Sequence, residues 1–430
     1  MNLIHDLPEN KGVENGIKRA LQMTEIRWTP LAAMAGSLSF TVKNENGEFL
    51  RQYAPYYFSS FQPNFGMVYS SVLKNQKFLG YNVSLETFMT ALSDPRSVLY
   101  KKNLHGTGRN NVGCWYGIVC SCFASYVHDL PVRTICRDWP FVENVTRLDQ
   151  PEAEDLKLLD IVLHTKKHIA VITDIIRDEN GKVQFIEVSE ATLPKCKRTR
   201  FTPEEFRGYW YKREFNIYRK SDTEKITYTP SPFVRIEADP DRGITADPVL
   251  PAYEYNKDIM PDQGNASNYM AGDEIFVDAL TEGWGSVKVE KTCGDGSSDI
   301  YAFADGTAVI TAGEPGYYTA RAVKADGTES APVCWAVNRI GLTSDKKTYS
   351  PGEKAVFTFE DLTGADVYMF NINRVKTSGE VIRGFFDEKT KKAASFETAL
   401  PQETGDFFAY VSAKNKYGIF VSEYCFFTVE

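Results

Sequence analysis

The chain is 430 residues long, enough for two or three domains at roughly 150 residues each, every one able to bury a core. Its 49 Lys and Arg against 57 Asp and Glu leave a net charge of -8, the wrong sign for gripping nucleic acid or an anionic membrane. A hydrophobic share of 43% with 13% aromatic residues excludes disorder over most of the chain, and 27 Phe, 23 Tyr and 20 Pro lean it toward β structure.

No run reaches the roughly 18 apolar residues of a membrane-spanning helix, so no span is expected. Met1 to Asn10 has neither a basic start nor an apolar stretch and does not read as an export signal. The compartment stays open, although the domain types argued below favour an extracellular or cell-envelope home. Eight Cys are too few for a disulfide scaffold, and Cys114, Cys120 and Cys122 fit no standard zinc spacing. Burial or chemistry has to explain them.

Ile17, Leu21 and Trp28 are spaced for an amphipathic helix over 17–28, and Leu85, Phe88, Met89 and Leu92 for a second, capped by Ser84 and stopped by Pro95. Gly106-Thr107-Gly108 opens no phosphate-cradling helix and reads as a loop. From Cys120 onward, Phe123, Val127 and Leu130 recur on one helix face until Pro131, while Gly113 and Gly117 permit a bent approach. Cys120 therefore opens a helix, where unpaired amides and the positive dipole end favour thiolate over thiol.

Leu159 to Ile176 is rich in β-branched residues and broken by Thr165-Lys166-Lys167, the pattern of strand, tight turn, strand. A further turn over Arg177 to Lys182 returns the chain through Val183 to Glu190, so three antiparallel strands are expected. His168 opens the middle one, where its imidazole can take the Cys120 proton. A hairpin folding about residues 179 and 180 sets 187 nearly opposite 172, which makes Glu187 the favoured residue to orient the ring, with Ser189 and Glu190 as substitutes. His164 stands four before His168, a zinc spacing on a helix, but the Ile and Val around both argue for strands and against a metal. His105 and His128 read as surface or satisfied core, Lys166 and Lys167 as a solvated turn, and Cys114 and Cys136 as structural. Thr202-Pro203-Glu204-Glu205 reads as a capping box starting a short helix.

Thr229 to Ala252 holds Pro230, Pro232, Pro240, Pro248 and Pro251, which suit an extended linker. Beyond it, Ala271-Gly272-Asp273-Glu274 and Pro351-Gly352-Glu353-Lys354 each open a strand-like run. Gly316-Tyr317-Tyr318 precedes Ser330 and Cys334-Trp335, as Gly405-Asp406-Phe407-Phe408 precedes Ser422 and Cys425-Phe426. This repeat of about 80 to 90 residues fits two consecutive β-sandwich modules. Cys334, Trp335, Cys425 and Phe426 read as core, and a Cys293 to Cys334 pairing stays open.

The order Cys-Ser-x-Phe-x-x-Tyr-Val from Cys120, then Asp160-Ile161-Val162, then His168-Ile169-Ala170-Val171-Ile172 and a strand with a polar residue resembles the NlpC-type papain-like cysteine peptidases. The likeness spans residues 60–195, and the later modules resemble bacterial immunoglobulin-like modules. It implies Cys120 as nucleophile, His168 as base and Glu187 at a third position that in the family is commonly His, Asn or Gln. Gly66-Met67-Val68-Tyr69 partly matches the family's Gly-x-Pro-Tyr, which implies Tyr69, together with Ser121 beside the nucleophile, as substrate contacts. Cys122 is the rival nucleophile if Ser-Cys-Phe-Ala is matched to papain itself. Val119 stands where several members carry an Asp that holds a free substrate amine, and the stretch from Tyr69 to Cys120 is longer than usual, an insertion that could reshape or cover the cleft.

The expectation is an α+β papain-like (NlpC-type) domain, a helix packed on an antiparallel sheet, over residues 1–225, a Pro-rich linker over 226–252, and immunoglobulin-like β-sandwiches over 253–338 and 339–430. The expected activity is hydrolysis of a peptide amide through a Cys120 thioester. By resemblance, the substrate is bacterial cell-wall peptide cut at γ-D-glutamyl-diamino-acid bonds, with no metal or organic cofactor. Two other readings stand beside it. One is a surface-binding or adhesion protein whose β modules engage a cell-surface ligand and whose first domain is degenerate; the other is a thioester-forming acyltransferase or deamidase.

Overall fold

The computed structural model describes residues 3–34, 38–43, 49–54, 58–70, 78–81, 83–93, 98–101, 116–131, 133–250, 258–261, 268–272, 274–291, 296–314, 316–338, 341–359, 367–375, 381–390, 395–415, 418–422 and 425–430. Cys114, His105, the 106–108 loop, Gly113, Pro95, Pro251 and Cys293 lie outside the described residues. The chain forms two compact units, one of Met1–Lys74 and Ala91–Tyr253, the other of Asn75–Thr90 and Glu254–Glu430. Among the described residues no helix is long and apolar enough to cross a membrane.

The first unit is organised by a seven-stranded antiparallel sheet of β1 (Ile4–His5), β2 (Val145–Asp149), β3 (Ile161–His164), β4 (His168–Arg177), β5 (Val183–Ala191), β6 (Cys196–Phe201) and β7 (Asn216–Lys220). Its order is β6-β5-β4-β3-β7-β2, with β1 paired to the far end of β4. Ile169 to Ile176 are buried without interruption, as expected of a central strand covered on both faces. Ala170 and Ile172 share a core with Ile186, Val188, Phe206 and Trp210. Phe206 sits in α4 (Pro203–Tyr209), which starts in a true capping box: Thr202 Oγ1 accepts the Glu205 amide and Glu205 accepts the Thr202 amide. Truncating Phe206 to Ala would cost about 3–5 kcal/mol.

Helix α1 runs Lys11–Glu25, six residues earlier at its start than the apolar spacing predicts. Asn10 caps it, its Oδ1 accepting the Val13 amide at 2.9 Å, worth about 1 kcal/mol. Gly12 disguises this first turn as a poor helix former. Its role is close approach, because a Cβ there would meet the Thr223 carbonyl oxygen at 1.9 Å. Helix α1 packs on α3 (Cys120–Val127), and α3 packs on β4 and β5. Between them in sequence, α2 (Leu85–Leu92) takes the expected helical stretch, with the Phe88 amide donating to Ser84 O.

The expected linker is not one. Helix α1 is buried on nearly every side and carries Lys18, Arg19 and Gln22 inward with Asn15 half-buried beside them, so those groups need partners. Residues 226–247 supply them: Ile226 O accepts from Asn15 at 2.8 Å, Thr227 O from Arg19 at 3.1 Å, Thr229 O from Gln22 at 3.3 Å, and Asp247 pairs with Lys18 at 3.3 Å. Val234, Ile236 and Ile244 are buried in the same segment. The prolines keep it irregular, and its contacts make it part of the first unit.

In the second unit, two modules have the same pairing diagram. The first has sheets β8-β10-β13 and β9-β15-β14-β11-β12, where β8 is Ile259–Pro261, β9 Asn268–Met270, β10 Glu274–Ala279, β11 Ser286–Lys291, β12 Ser298–Ala302, β13 Thr307–Thr311, β14 Gly316–Val323 and β15 Val333–Asn338. The second has β16-β18-β21 and β17-β24-β22-β19-β20, with β16 Leu342–Ser344, β17 Thr348–Tyr349, β18 Lys354–Phe359, β19 Val367–Val375, β20 Val381–Thr390, β21 Ser395–Ala399, β22 Gly405–Asn415, β23 Gly418–Val421 beside β22, and β24 Cys425–Val429. In each module, residues from both sheets close over one core, which makes them β-sandwiches.

The modules agree residue by residue. The first strand of each larger sheet, β9 or β17, pairs in parallel with the last, β15 or β24. Buried Tyr269 meets Trp335 edge-on at 6.2 Å and 82°, as Tyr349 meets Phe427 at 5.7 Å and 88°. Ser330 Oγ accepts the Ala322 amide and Ser422 Oγ the Val411 amide, both at 2.9 Å. Trp335 therefore matches Phe427 and not Phe426. Trp335 and Cys425 are core, but Phe426 points outward at 59% exposure, because adjacent residues in a strand face opposite ways.

Candidate active site

The site is built around the mouth of α3. Gly117 crosses Ser70 so closely that a Cβ would fall 1.9 Å from the Ser70 Cβ. That crossing lets Ile118 donate to Val68 O at 3.0 Å and pair with Tyr69 before the chain turns into the helix at Cys120. Val119 is extended at the N-cap and offers no side-chain cap, so the first amides of α3 remain at the helix mouth beside Cys120. Cys120 is partly exposed. Its sulfur lies 4.0 Å from Cys136 Sγ, and the His168 ring and the Ile169 amide are near enough to stabilise its charged form.

His168, the first residue of β4, holds Glu190 Oε2 through Nε2 at 2.6 Å. That leaves Nδ1 for the sulfur. Trp210 stacks parallel to the imidazole, at 6.3 Å and 4°, and fixes the plane of the ring. Glu190 is buried and its other oxygen is 3.7 Å from Lys197 Nζ, directly across the β5–β6 pair. A buried carboxylate is tolerable only when paired in this way.

The charges reinforce one another. The Cys136 hydrogen bond, joined by the His168 charge and the Ile169 amide, outweighs burial and holds the Cys120 thiol well below its ordinary value. Burial works to lower His168, but the Cys120 thiolate and the bonds to Cys120 and Glu190 prevail and lift it to about 10. Burial works to raise Glu190, but His168 and then Lys197 bring it below the usual carboxylate range. All three shifts run in the direction that favours thiolate, imidazolium and carboxylate.

Glu187, favoured from the sequence as the orienting residue, is elsewhere. The hairpin turns one position later than expected and carries irregularities between Ile172 and Asp174 and between Ile176 and Arg177, so Glu187 pairs with Asp174 and Val188 with Ile172. Within β5, residues 186, 188 and 190 share one face, and 187 and 189 the other. His168 lies two residues before Ala170 and four before Ile172, which share the core of Ile186 and Val188, so Glu190 is its diagonal neighbour. Glu187 instead meets Arg198 and Arg242 at 3.5 Å and Arg200 at 3.7 Å.

Tyr69 is held at the site. Its amide donates to Pro194 O at 2.8 Å, and burial, then the Cys120 and Cys136 sulfurs, push its phenol up. Ser121 is brought beside Cys120 by the chain but is only 5% exposed, which leaves it little surface for a substrate. Cys122 is fully buried, and burial pushes its thiol up, the opposite of a nucleophile. His128 is buried, edge-on to Trp139 at 5.4 Å, and burial lowers it to about 3, so it is a neutral core residue. His164 Nδ1 accepts the Lys166 amide at 3.1 Å. Cys136, read from the sequence as structural, is the site residue that spacing gives no sign of, because it sits in an irregular turn.

No protein family matches the chain, and no curated protein matches it. Similar solved structures include fibronectin(III)-like modules of Clostridium thermocellum CbhA, 22% identical, covering 38% of this chain and 87% of that one, with a TM-score of 0.17. Others are the D0-D1 domain of intimin, 16% identical over 40% of this chain and 98% of that one, and FN3tt, 14% identical over 22% and 92%, each with a TM-score of 0.17. Likenesses at these scores assign nothing to the chain; the two sandwiches rest on their own strand pairings.

Proposed function

We propose that the first unit is a cysteine hydrolase of the NlpC-like, papain-like type that cleaves a peptide amide. One observation carries the proposal: α3, which Cys120 opens, packs on β4, which His168 opens, and His168 Nε2 is held 2.6 Å from the buried Glu190 carboxylate. The thiolate attacks the amide carbon, and the carbonyl oxygen takes the negative charge among the α3 amides, that of Cys120 included. His168 then gives its proton to the departing amine and the thioester forms. Water loses a proton to the now neutral His168 and attacks the thioester, and the acid leaves as the Cys120 thiolate is restored. Glu190 keeps the ring turned throughout and favours its charged form whenever it holds the proton.

The substrate class that fits the sequence resemblance is bacterial cell-wall peptide, at γ-D-glutamyl-diamino-acid bonds. Val119, at the position before the nucleophile, provides no carboxylate for a free substrate amine. The test is hydrolysis of muropeptide fragments followed by mass spectrometry. The native chain is expected to release the acid product and Cys120→Ala to release none; equal hydrolysis by both would overturn the assignment. Product in which an added amine replaces water would identify an acyltransferase with the same thioester. Failure of Cys120 to react with sub-stoichiometric iodoacetamide at neutral pH, in a chain of normal Tm, would favour a degenerate domain that serves the β modules.

A further inference from the structure

We propose that Cys120 and Cys136 form a redox-modification site, in which a hydroperoxide converts the two thiols to an intramolecular disulfide that silences the site reversibly. The inference rests on the thiolate reading of Cys120 and on none of the substrate assignments.

Position is the first argument. The two sulfurs are 4.0 Å apart and both residues are partly exposed, so a small oxidant can reach them. A disulfide needs about 2.0 Å between sulfurs, so closing the gap asks for about 2 Å, the scale of a side-chain rotation. Cys136 begins a turn, not a helix or strand, so no regular backbone hydrogen-bond ladder fixes its position. The second argument is the tether. Ser125 Oγ donates to Ser121 O at 2.7 Å within α3 and accepts the Thr134 amide at 2.8 Å, so the segment before Cys136 is tied to the same helix that presents Cys120. The sulfurs therefore meet as a matter of fold and not of chance side-chain placement.

The third argument is the division of chemical roles. Cys120 is held as thiolate, while Cys136 is kept a thiol by the hydrogen bond to Cys120, by burial and by the neighbouring sulfur's charge. A thiolate attacks peroxide and a nearby thiol resolves the product. In the first step the Cys120 thiolate attacks the terminal oxygen of the hydroperoxide, the O–O bond breaks and the alkoxide (hydroxide, for hydrogen peroxide) leaves, giving Cys120 sulfenic acid; the sulfur is oxidised and the peroxide reduced. In the second, the Cys136 sulfur attacks the Cys120 sulfur, the S–O bond breaks, and the oxygen leaves with two protons as water. The result is one S–S bond, two electrons poorer than the dithiol. Two thiols from a reductant reverse it. Without Cys136 the sulfenic acid is open to a second peroxide and proceeds to sulfinic acid, which ordinary thiols do not reduce. Cys122 is no competitor, since it is fully buried and two positions along the helix from Cys120, where side chains do not face each other.

The test is made on the full chain with Cys114→Ser as background, so that Cys114 cannot take part. The protein is treated with equimolar hydrogen peroxide, blocked with iodoacetamide and digested without reductant. The expected product is a Cys120–Cys136 linked peptide lighter by two hydrogens, with all alkylatable Cys120 returning after dithiothreitol. In Cys136→Ser the linked peptide is absent, dimedone labels Cys120, and excess peroxide causes a loss that dithiothreitol does not restore. The linked peptide in the unsubstituted pair needs no variant, so a misfolded Cys136→Ser does not compromise the outcome. If Cys120 alkylates first at neutral pH, yet no linked peptide forms and recovery is the same with and without Cys136, the redox proposal fails and the hydrolase proposal survives. If Cys120 is not the thiol that alkylates first, both fall together.

Discussion

The two faces of β5 carry glutamates three residues apart that do opposite work. Glu190 faces one imidazole at 2.6 Å and one ammonium at 3.7 Å, and that imidazole stacks parallel to Trp210. Glu187, on the other face, spreads its charge over Arg198, Arg200 and Arg242, all at 3.5 Å or more, and sits across from Asp174, itself bound to His5 at 2.8 Å and Arg242 at 3.5 Å. The first arrangement is short and directional, so it sets a proton. The second has several longer partners and joins β1, β4, β5, β6 and the segment around Arg242, so it holds strands together. Identity of residue type says nothing about which role a carboxylate takes; strand parity decides it.

That contrast is tested most severely at its centre. Cys120→Ala is expected to remove hydrolysis by about a thousandfold or more in kcat/KM while Tm stays within a few degrees; hydrolysis that persists sinks the proposed chemistry. Glu190→Gln is expected to lower kcat/KM by about a hundredfold or more, because the ring loses its anchoring charge. His168 then falls from about 10, so the alkaline arm of the pH–rate profile moves to lower pH, and an unmoved arm would detach Glu190 from the ring. The sign follows from linkage. His168 is raised in the fold, so its contribution to stability is complete below its ordinary value of about 6.5 and is lost as pH rises through about 10. Cys120 and Glu190 are depressed, and their contributions are lost as pH falls through their folded values.

Glu187→Gln is the counterpart: stability should fall by about 1–3 kcal/mol in urea titration, with the pH at which Cys120 alkylates unchanged. A shift in that pH would place Glu187 in the site after all. The smallest effect is expected from Cys136→Ala, which removes a hydrogen bond to the Cys120 thiolate and moves Cys120 alkylation to higher pH; a shift to lower pH would contradict the contact.

The parts of the site that follow from periodicity are legible in the sequence. Phe123 and Val127 mark α3, the β-branched run marks β3 and β4, and together they bring Cys120 and His168 into one neighbourhood. Glu190 is legible only as a substitute, because two strand irregularities and a turn centred one residue later reset the register. Cys136 carries no periodic signal at all. The Pro-rich stretch misleads for a different reason: proline reports the loss of a backbone donor, not the burial of Ile226, Val234 and Ile236 beside it. The repeat in the sandwiches is readable, but a one-residue slip exchanges Phe426 for Phe427 in the core.

The wrapping of residues 226–247 over α1 sets where the molecule can be cut. A fragment ending at residue 225 would strip Lys18 of Asp247 and leave Arg19 and Gln22 facing water through an apolar scar. A cut that spares these contacts falls after Tyr253, where the first unit ends, and carries along residues 75–90, which group with the second.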